Sequence, residues 1–93
     1  MKQFTTPEQT AKLIELGFER PRCLHNCELA YNVGELIEML PREYDGELLE
    51  MSAVALSHTK WIVRYPYGII IYKAELIDAL YDMIVKLKDE GDI

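Results

Sequence analysis

The chain is poor in cysteine and lacks long apolar runs. Its two cysteines, Cys23 and Cys27, are too few for the disulfide framework of a small secreted domain. Residues 1–6 contain no apolar run of the signal-peptide type. No window of the sequence reaches the apolar length of a membrane span. These absences predict a cytoplasmic protein with reduced thiols and no membrane partner.

Positive charge is also scarce, because 10 Lys and Arg residues stand against 16 Asp and Glu, for a formal net charge of −6. The basic residues are scattered, whereas a protein that binds duplex nucleic acid carries a basic patch. An anionic membrane surface is an unfavourable partner for the same reason. We therefore expect no nucleic-acid partner. The acidic balance leaves one alternative open, an inhibitor that mimics nucleic acid.

Motifs that carry catalytic chemistry are missing as well. The sequence has no P-loop, no GxGxxG, no HExxH and no GxSxG. Without them, the chain shows no recognisable machinery for phosphate binding, dinucleotide binding, zinc hydrolysis or acyl transfer. We therefore expect that the protein is not an enzyme and that it needs no cofactor.

The spacing of apolar residues changes along the chain between the periods of helices and strands. We interpret residues 1–93 as a single domain. The pattern predicts two short N-terminal helices, then a three-stranded antiparallel β-meander, then a long C-terminal helix packed on the sheet. The strands are predicted at 47–56, 60–65 and 69–72, and the last helix at 74–90. The fold class is therefore α+β.

Both N-terminal helices begin with a capping-box pattern. Thr6 is followed three residues later by Gln9, and Asn32 by Glu35. Gly17 is typical of the left-handed position that ends a helix. These signals predict where both helices begin and where the first one ends.

The last helix carries more apolar surface than one contact needs. Projected at about 100° per residue, its apolar residues cover an arc of roughly 200°. One side should face the sheet, and it comprises Met83, Leu76, Leu87 and Leu80. The other side, with Ile77, Tyr81 and Val85, needs a second cover. The N-terminal helices or a second copy of the chain, as a homodimer, are the two alternatives.

The metal-ligand types cluster once, at Cys23, His25 and Cys27. On a straight strand, side chains two residues apart are about 6.5 Å apart, too far to share one ion comfortably. A turn would be needed, and His58 would have to supply a fourth ligand. We expect no bound metal. A small metal- or ligand-binding protein that uses this cluster remains an alternative function.

Aromatic residues concentrate in the predicted meander. Trp61 and Tyr65 should share the sheet face that meets the last helix. Tyr67, in the Pro66-Tyr67-Gly68 turn, is the aromatic residue best placed to remain exposed. The candidate partner-binding residues are therefore Tyr67, Tyr81 and Val85.

Several segments together resemble a known group. They are Thr6-Pro7-Glu8-Gln9 followed by Leu16-Gly17-Phe18, the stretch 34–41 that ends in Pro41, Trp61-Ile62-Val63-Arg64-Tyr65, and the helix stretch 75–88. The chain resembles small uncharacterised proteins encoded by phages and prophages of gut anaerobic bacteria. The resemblance implies a phage or prophage accessory protein and assigns no site residues. Combined with the missing catalytic motifs, it predicts a non-enzymatic protein that acts by binding an unknown protein partner.

Overall fold

The computed structural model describes residues 3–25, 28–44, 46–55, 59–65, 68–91 and 93. These residues form three helices and seven strands. The helices are α1 (Pro7–Glu15), α2 (Val33–Met39) and α3 (Leu76–Asp89). The strands are β1 (Cys23–His25), β2 (Glu28–Ala30), β3 (Glu43–Tyr44), β4 (Glu47–Leu48), β5 (Glu50–Ala55), β6 (Thr59–Arg64) and β7 (Ile70–Lys73).

The helix ends follow the capping signals in the sequence. The Thr6 hydroxyl accepts a hydrogen bond from the Gln9 N–H at 3.2 Å, and the Gln9 side chain accepts one from the Thr6 N–H at 2.9 Å. Asn32 and Glu35 form the same reciprocal pair at the start of α2. Gly17, with φ of 101°, ends α1, and the Phe18 N–H donates to the Leu13 carbonyl at 3.2 Å. The predicted caps are therefore confirmed.

The α+β class, the antiparallel strands and the C-terminal helix are confirmed, but the prediction of a single three-stranded meander is wrong. The described strands form three antiparallel sheets: the pair β1–β2, the pair β3–β4, and a three-stranded sheet in the order β5-β6-β7. The strand predicted at 47–56 is interrupted at Leu49, which divides it into β4 and β5. Strands of two or three residues are too short to show a readable alternation, so the sequence pattern did not reveal them.

Along β6 and β7, the three-stranded sheet has one face that α3 covers and one open face. Residues directly opposite in an antiparallel pair share a face. The register therefore groups Trp61, Val63 and Ile71 on the inner face, and Ile62, Arg64, Ile70 and Tyr72 on the outer face. The inner-face residues pack into the core beneath α3, where Val63 is fully buried. The predicted placement of Trp61 toward α3 agrees with this register.

Helix α3 lies at the centre of the core. It contacts β6 and β7 and also contacts α2. Ile77, which was predicted to need a second cover, is fully buried, as is Ile84. Gln9 of α1 adds a side-chain hydrogen bond to Asp78 of α3 at 2.9 Å. The intramolecular cover therefore accounts for most of the apolar arc of α3.

Candidate protein-binding site

An apolar groove lies where the end of α2, the β3–β4 hairpin and the start of β5 meet. Its volume is about 520 Å³. It is lined by Ile37, Leu40, Leu48, Leu49 and Met51, with Glu38 and Arg42 also in the lining. We call this set the apolar groove. Its walls are mostly aliphatic, which is typical of sites that receive apolar side chains.

The local backbone explains why the groove is exposed. Leu49 lies between β4 and β5, and its N–H donates to the Arg42 carbonyl at 3.0 Å. This bond joins the strand interruption to the residue before β3. Leu49 packs against the core, whereas Leu48 beside it is 60% exposed and Met51 is 38% exposed. Two large apolar side chains therefore reach solvent beside the same groove.

Charged residues of both signs surround the apolar groove. Glu43 lies directly opposite Leu48 in the β3–β4 pair. Glu38 contacts Arg22 at 3.0 Å, and both of these side chains are exposed. Glu50, between Leu49 and Met51 in the sequence, forms an exposed ion pair with Arg64 at 2.8 Å. In the lining itself, Arg42 is the basic residue and Glu38 the acidic one.

A smaller cleft, of about 300 Å³, contains a buried carboxylate and a buried phenol. Glu35 accepts hydrogen bonds from the backbone N–H of Arg22 at 3.1 Å and of Asn32 at 3.3 Å. The Tyr31 hydroxyl donates to the Glu19 carbonyl. Burial, and then the negative charge of Glu35, raise the pKa of Tyr31. Both polar groups already have hydrogen-bond partners, and these bonds hold α2 and the preceding loop in place. We therefore assign Glu35 and Tyr31 a structural role.

The candidate metal cluster is only partly described. In the β1–β2 hairpin, Cys23 lies opposite Ala30 and His25 opposite Glu28. The exposed His25 ring stacks on Phe4, with 4.5 Å between ring centroids. Cys27 and His58 lie outside the described residues. Within the described ranges, no group of three His, Cys, Asp or Glu residues is placed to hold a metal ion. The expectation of no bound zinc stays a prediction.

The three predicted partner-binding residues are not brought together at one described site. Tyr67 lies outside the described residues. Tyr81 and Val85 lie one turn apart on α3, and both are half-buried. Burial, and then the charge of Asp82, raise the pKa of Tyr81. Neither residue lines the apolar groove, so their role in binding a partner stays a prediction.

Sequence reasoning missed the groove residues Leu48 and Met51. One signal was available, because the consecutive apolar pair Leu48-Leu49 cannot place both side chains on one face of a continuous strand. Either the alternation breaks there or one leucine faces solvent. The structure shows both outcomes, and the groove results from them.

None of the helices in the described ranges has the length and apolar content that crossing a membrane requires. No protein-family model, no curated protein and no solved structure matches the chain. The resemblance to small phage and prophage proteins therefore stays a prediction.

Proposed function

We propose that the protein is a non-enzymatic binding domain that holds an apolar segment of another protein in the apolar groove. One observation carries the proposal: Leu48 and Met51 expose apolar surface beside a groove of about 520 Å³ whose walls are aliphatic. Single exposed apolar residues are ordinary, but contiguous apolar surface around a concave site is typical of binding surfaces.

The energetics favour a partner that fills the groove. Burying a side chain such as Leu or Met contributes about 1.5–3 kcal/mol when the whole side chain leaves water. Leu48 and Met51 are partly covered already, so each contributes less than that. A partner therefore needs anchor side chains of its own, since association also costs translational and side-chain entropy.

Charge complementarity identifies the chemistry of that partner. Glu43 lies beside Leu48, and the net charge of the chain is −6. An acidic segment would be repelled by the net negative charge of the chain, whereas one with Lys or Arg next to its apolar anchors would be attracted. The proposed occupant is a short segment with two or three aliphatic or aromatic residues and adjacent basic residues.

Other features support a binding role over catalysis. Within the described residues, Glu35 and Tyr31 are held by backbone groups, and the raised pKa values of Tyr31, Tyr65 and Tyr81 arise first from burial. A phage or prophage accessory role, implied by the resemblance, remains the proposed biological setting.

The test is selection from a library of random peptides displayed against the folded protein. Enriched peptides should combine apolar anchors with Lys or Arg. A synthetic peptide of the enriched sequence should lose at least about tenfold in affinity for Leu48→Ser, because the exposed wall of the groove is removed.

Leu24→Ser is the matched control. Leu24 is also an exposed leucine in a short strand, 69% exposed, and it does not line the groove. This variant should keep wild-type affinity. The absence of enrichment, or equal loss for the two variants, would contradict the proposal.

A further inference from the structure

Strand β7 is an edge of the three-stranded sheet. Among the strands that the structure describes, it pairs with β6 alone, so a row of its backbone N–H and C=O groups points away from the sheet. Residues 68–72 carry no charge. On the outer face, Ile70 is 43% exposed and Tyr72 is 58% exposed. An uncharged edge with exposed apolar residues is a template for pairing with another strand.

The side chains of the outer face make β7 the favourable edge for a second copy of this chain. On the same face of the other edge, β5, the register places Glu50 and Ser52. Two copies paired along β5 would therefore bury a charged and a small polar residue on this face, where β7 offers Ile70 and Tyr72. The charged residue of β7 is Lys73, which already forms an ion pair with Asp82 at 3.0 Å. Pairing along β7 therefore brings apolar rather than charged side chains of the outer face together.

The side chains of β7 are self-complementary in one register. A twofold axis perpendicular to the sheet keeps every side chain on its own face, so the residue at the axis lies opposite its own copy. With Ile71 at the axis, Ile70 lies opposite Tyr72 of the second copy. This register places the two exposed apolar residues of each strand against those of the other. With Tyr72 at the axis, Ile71 would instead lie opposite Lys73.

We propose that the protein forms a twofold dimer in which β7 pairs antiparallel with β7 of a second copy, centred on Ile71. The two three-stranded sheets then become one six-stranded sheet. This dimer uses the edge of the sheet, whereas the apolar groove lies beside β5 at the opposite edge. It is therefore independent of the proposed function.

The test compares two double variants that differ at one residue. In I70K/Y72K, lysines of the two copies lie opposite each other, so the dimer should dissociate. In I70K/Y72E, each lysine lies opposite a glutamate, so the dimer should persist. Like charges directly opposite are unfavourable and opposite charges favourable, so the dissociation constants should differ by about tenfold or more. I70K/Y72K also makes each chain less negative, so general repulsion would not explain its dissociation.

The measurement is sedimentation equilibrium from micromolar to millimolar protein, with circular dichroism to confirm folding. Ser52→Lys, on the outer face of β5, is the control and should remain a dimer. Hydrogen exchange at alternate amides of wild-type β7 should slow as concentration rises. A monomeric wild type at all concentrations, or equal dissociation constants for the two double variants, would overturn the proposal.

Discussion

Large apolar residues lie on both faces of the β5-β6-β7 sheet, but the two faces differ in cover. Tyr65, at the end of β6, is fully buried, whereas Tyr72 on the outer face of β7 is largely exposed. Val63 is likewise buried, and Ile70 is not. Both faces contain β-branched and aromatic residues, yet α3 covers only the inner face of β6 and β7. The residue types therefore form the sheet, and the position of α3 determines which of them stabilise the fold and which remain available for binding.

The largest difference in the free energy of unfolding is expected between a tyrosine replaced on the inner face and one replaced on the outer face. Tyr65→Ala should lower the free energy of unfolding by about 3–5 kcal/mol, because it leaves a cavity in the core. It also removes the hydrogen bond from the Tyr65 hydroxyl to the Pro41 carbonyl, at 2.6 Å. At a protein concentration low enough to keep the chain monomeric, Tyr72→Ala should cost about 0.5 kcal/mol or less. Urea denaturation of both variants measures the difference, and equal losses would refute the assignment of faces.

Trp61→Ala should have the next largest effect, about 2–3 kcal/mol. Trp61 packs against the core from the inner face but remains half-buried, so its loss costs less than that of a fully buried aromatic residue. Lys60→Ala, at the neighbouring exposed position, is the control and should stay within about 0.5 kcal/mol of wild type. A loss at Trp61 no larger than the loss at Lys60 would show that α3 does not cover this end of the inner face.

The buried phenol should also make stability depend on alkaline pH. Burial raises the pKa of Tyr65 from its ordinary value of 10.0 to about 12. As the pH rises from 10 toward 12, the unfolded chain loses this proton while the folded chain keeps it, so stability falls. The expected loss is about 1–3 kcal/mol. Urea melts across this pH range should show it.

Tyr65→Phe should reduce that alkaline loss without abolishing it. The pKa values of Tyr31 and Tyr81 are also raised by burial, and they act in the same direction. If Tyr65→Phe lost as much stability as wild type over the same pH range, Tyr65 would not be the group responsible.

The smallest effect is expected on the outer face. Glu50→Gln removes the exposed ion pair with Arg64, which lies opposite it across the β5–β6 pair. Such pairs contribute about 0–1 kcal/mol and are screened by salt. Thermal melts at low and high salt should therefore differ slightly for wild type and less for the variant. A loss above about 2 kcal/mol would mean that this face contributes to the core.

Local signals in the sequence predicted the parts of the fold that local interactions determine. The capping pairs Thr6–Gln9 and Asn32–Glu35, and the glycine end at Gly17, are interactions within a few residues, so their spacing is readable. The wide arc of α3 correctly indicated burial on more than one side. In each case one segment contains the whole pattern.

The candidate site was not predictable in this way, because it is made by contacts between segments. The groove depends on the bond between Leu49 and Arg42 across the β3–β4 hairpin, and on the nearby end of α2. The stacking of Phe4 on His25 joins residues 21 positions apart. The positions of Phe4 and His25 in the sequence give no sign of this contact. The β1–β2 and β3–β4 hairpins are also too short for a hydrophobic period to appear.

The order of the elements along the chain also affects how the protein is made. Helix α3 follows the other elements, yet it supplies seven of the thirteen residues in the described core cluster. During synthesis, the inner face of the sheet therefore stays uncovered until residues 76–89 have left the ribosome. Val63 and Tyr65 are then open to chaperones or to neighbouring nascent chains. A ribosome paused before Leu76 would hold a chain unable to complete its core.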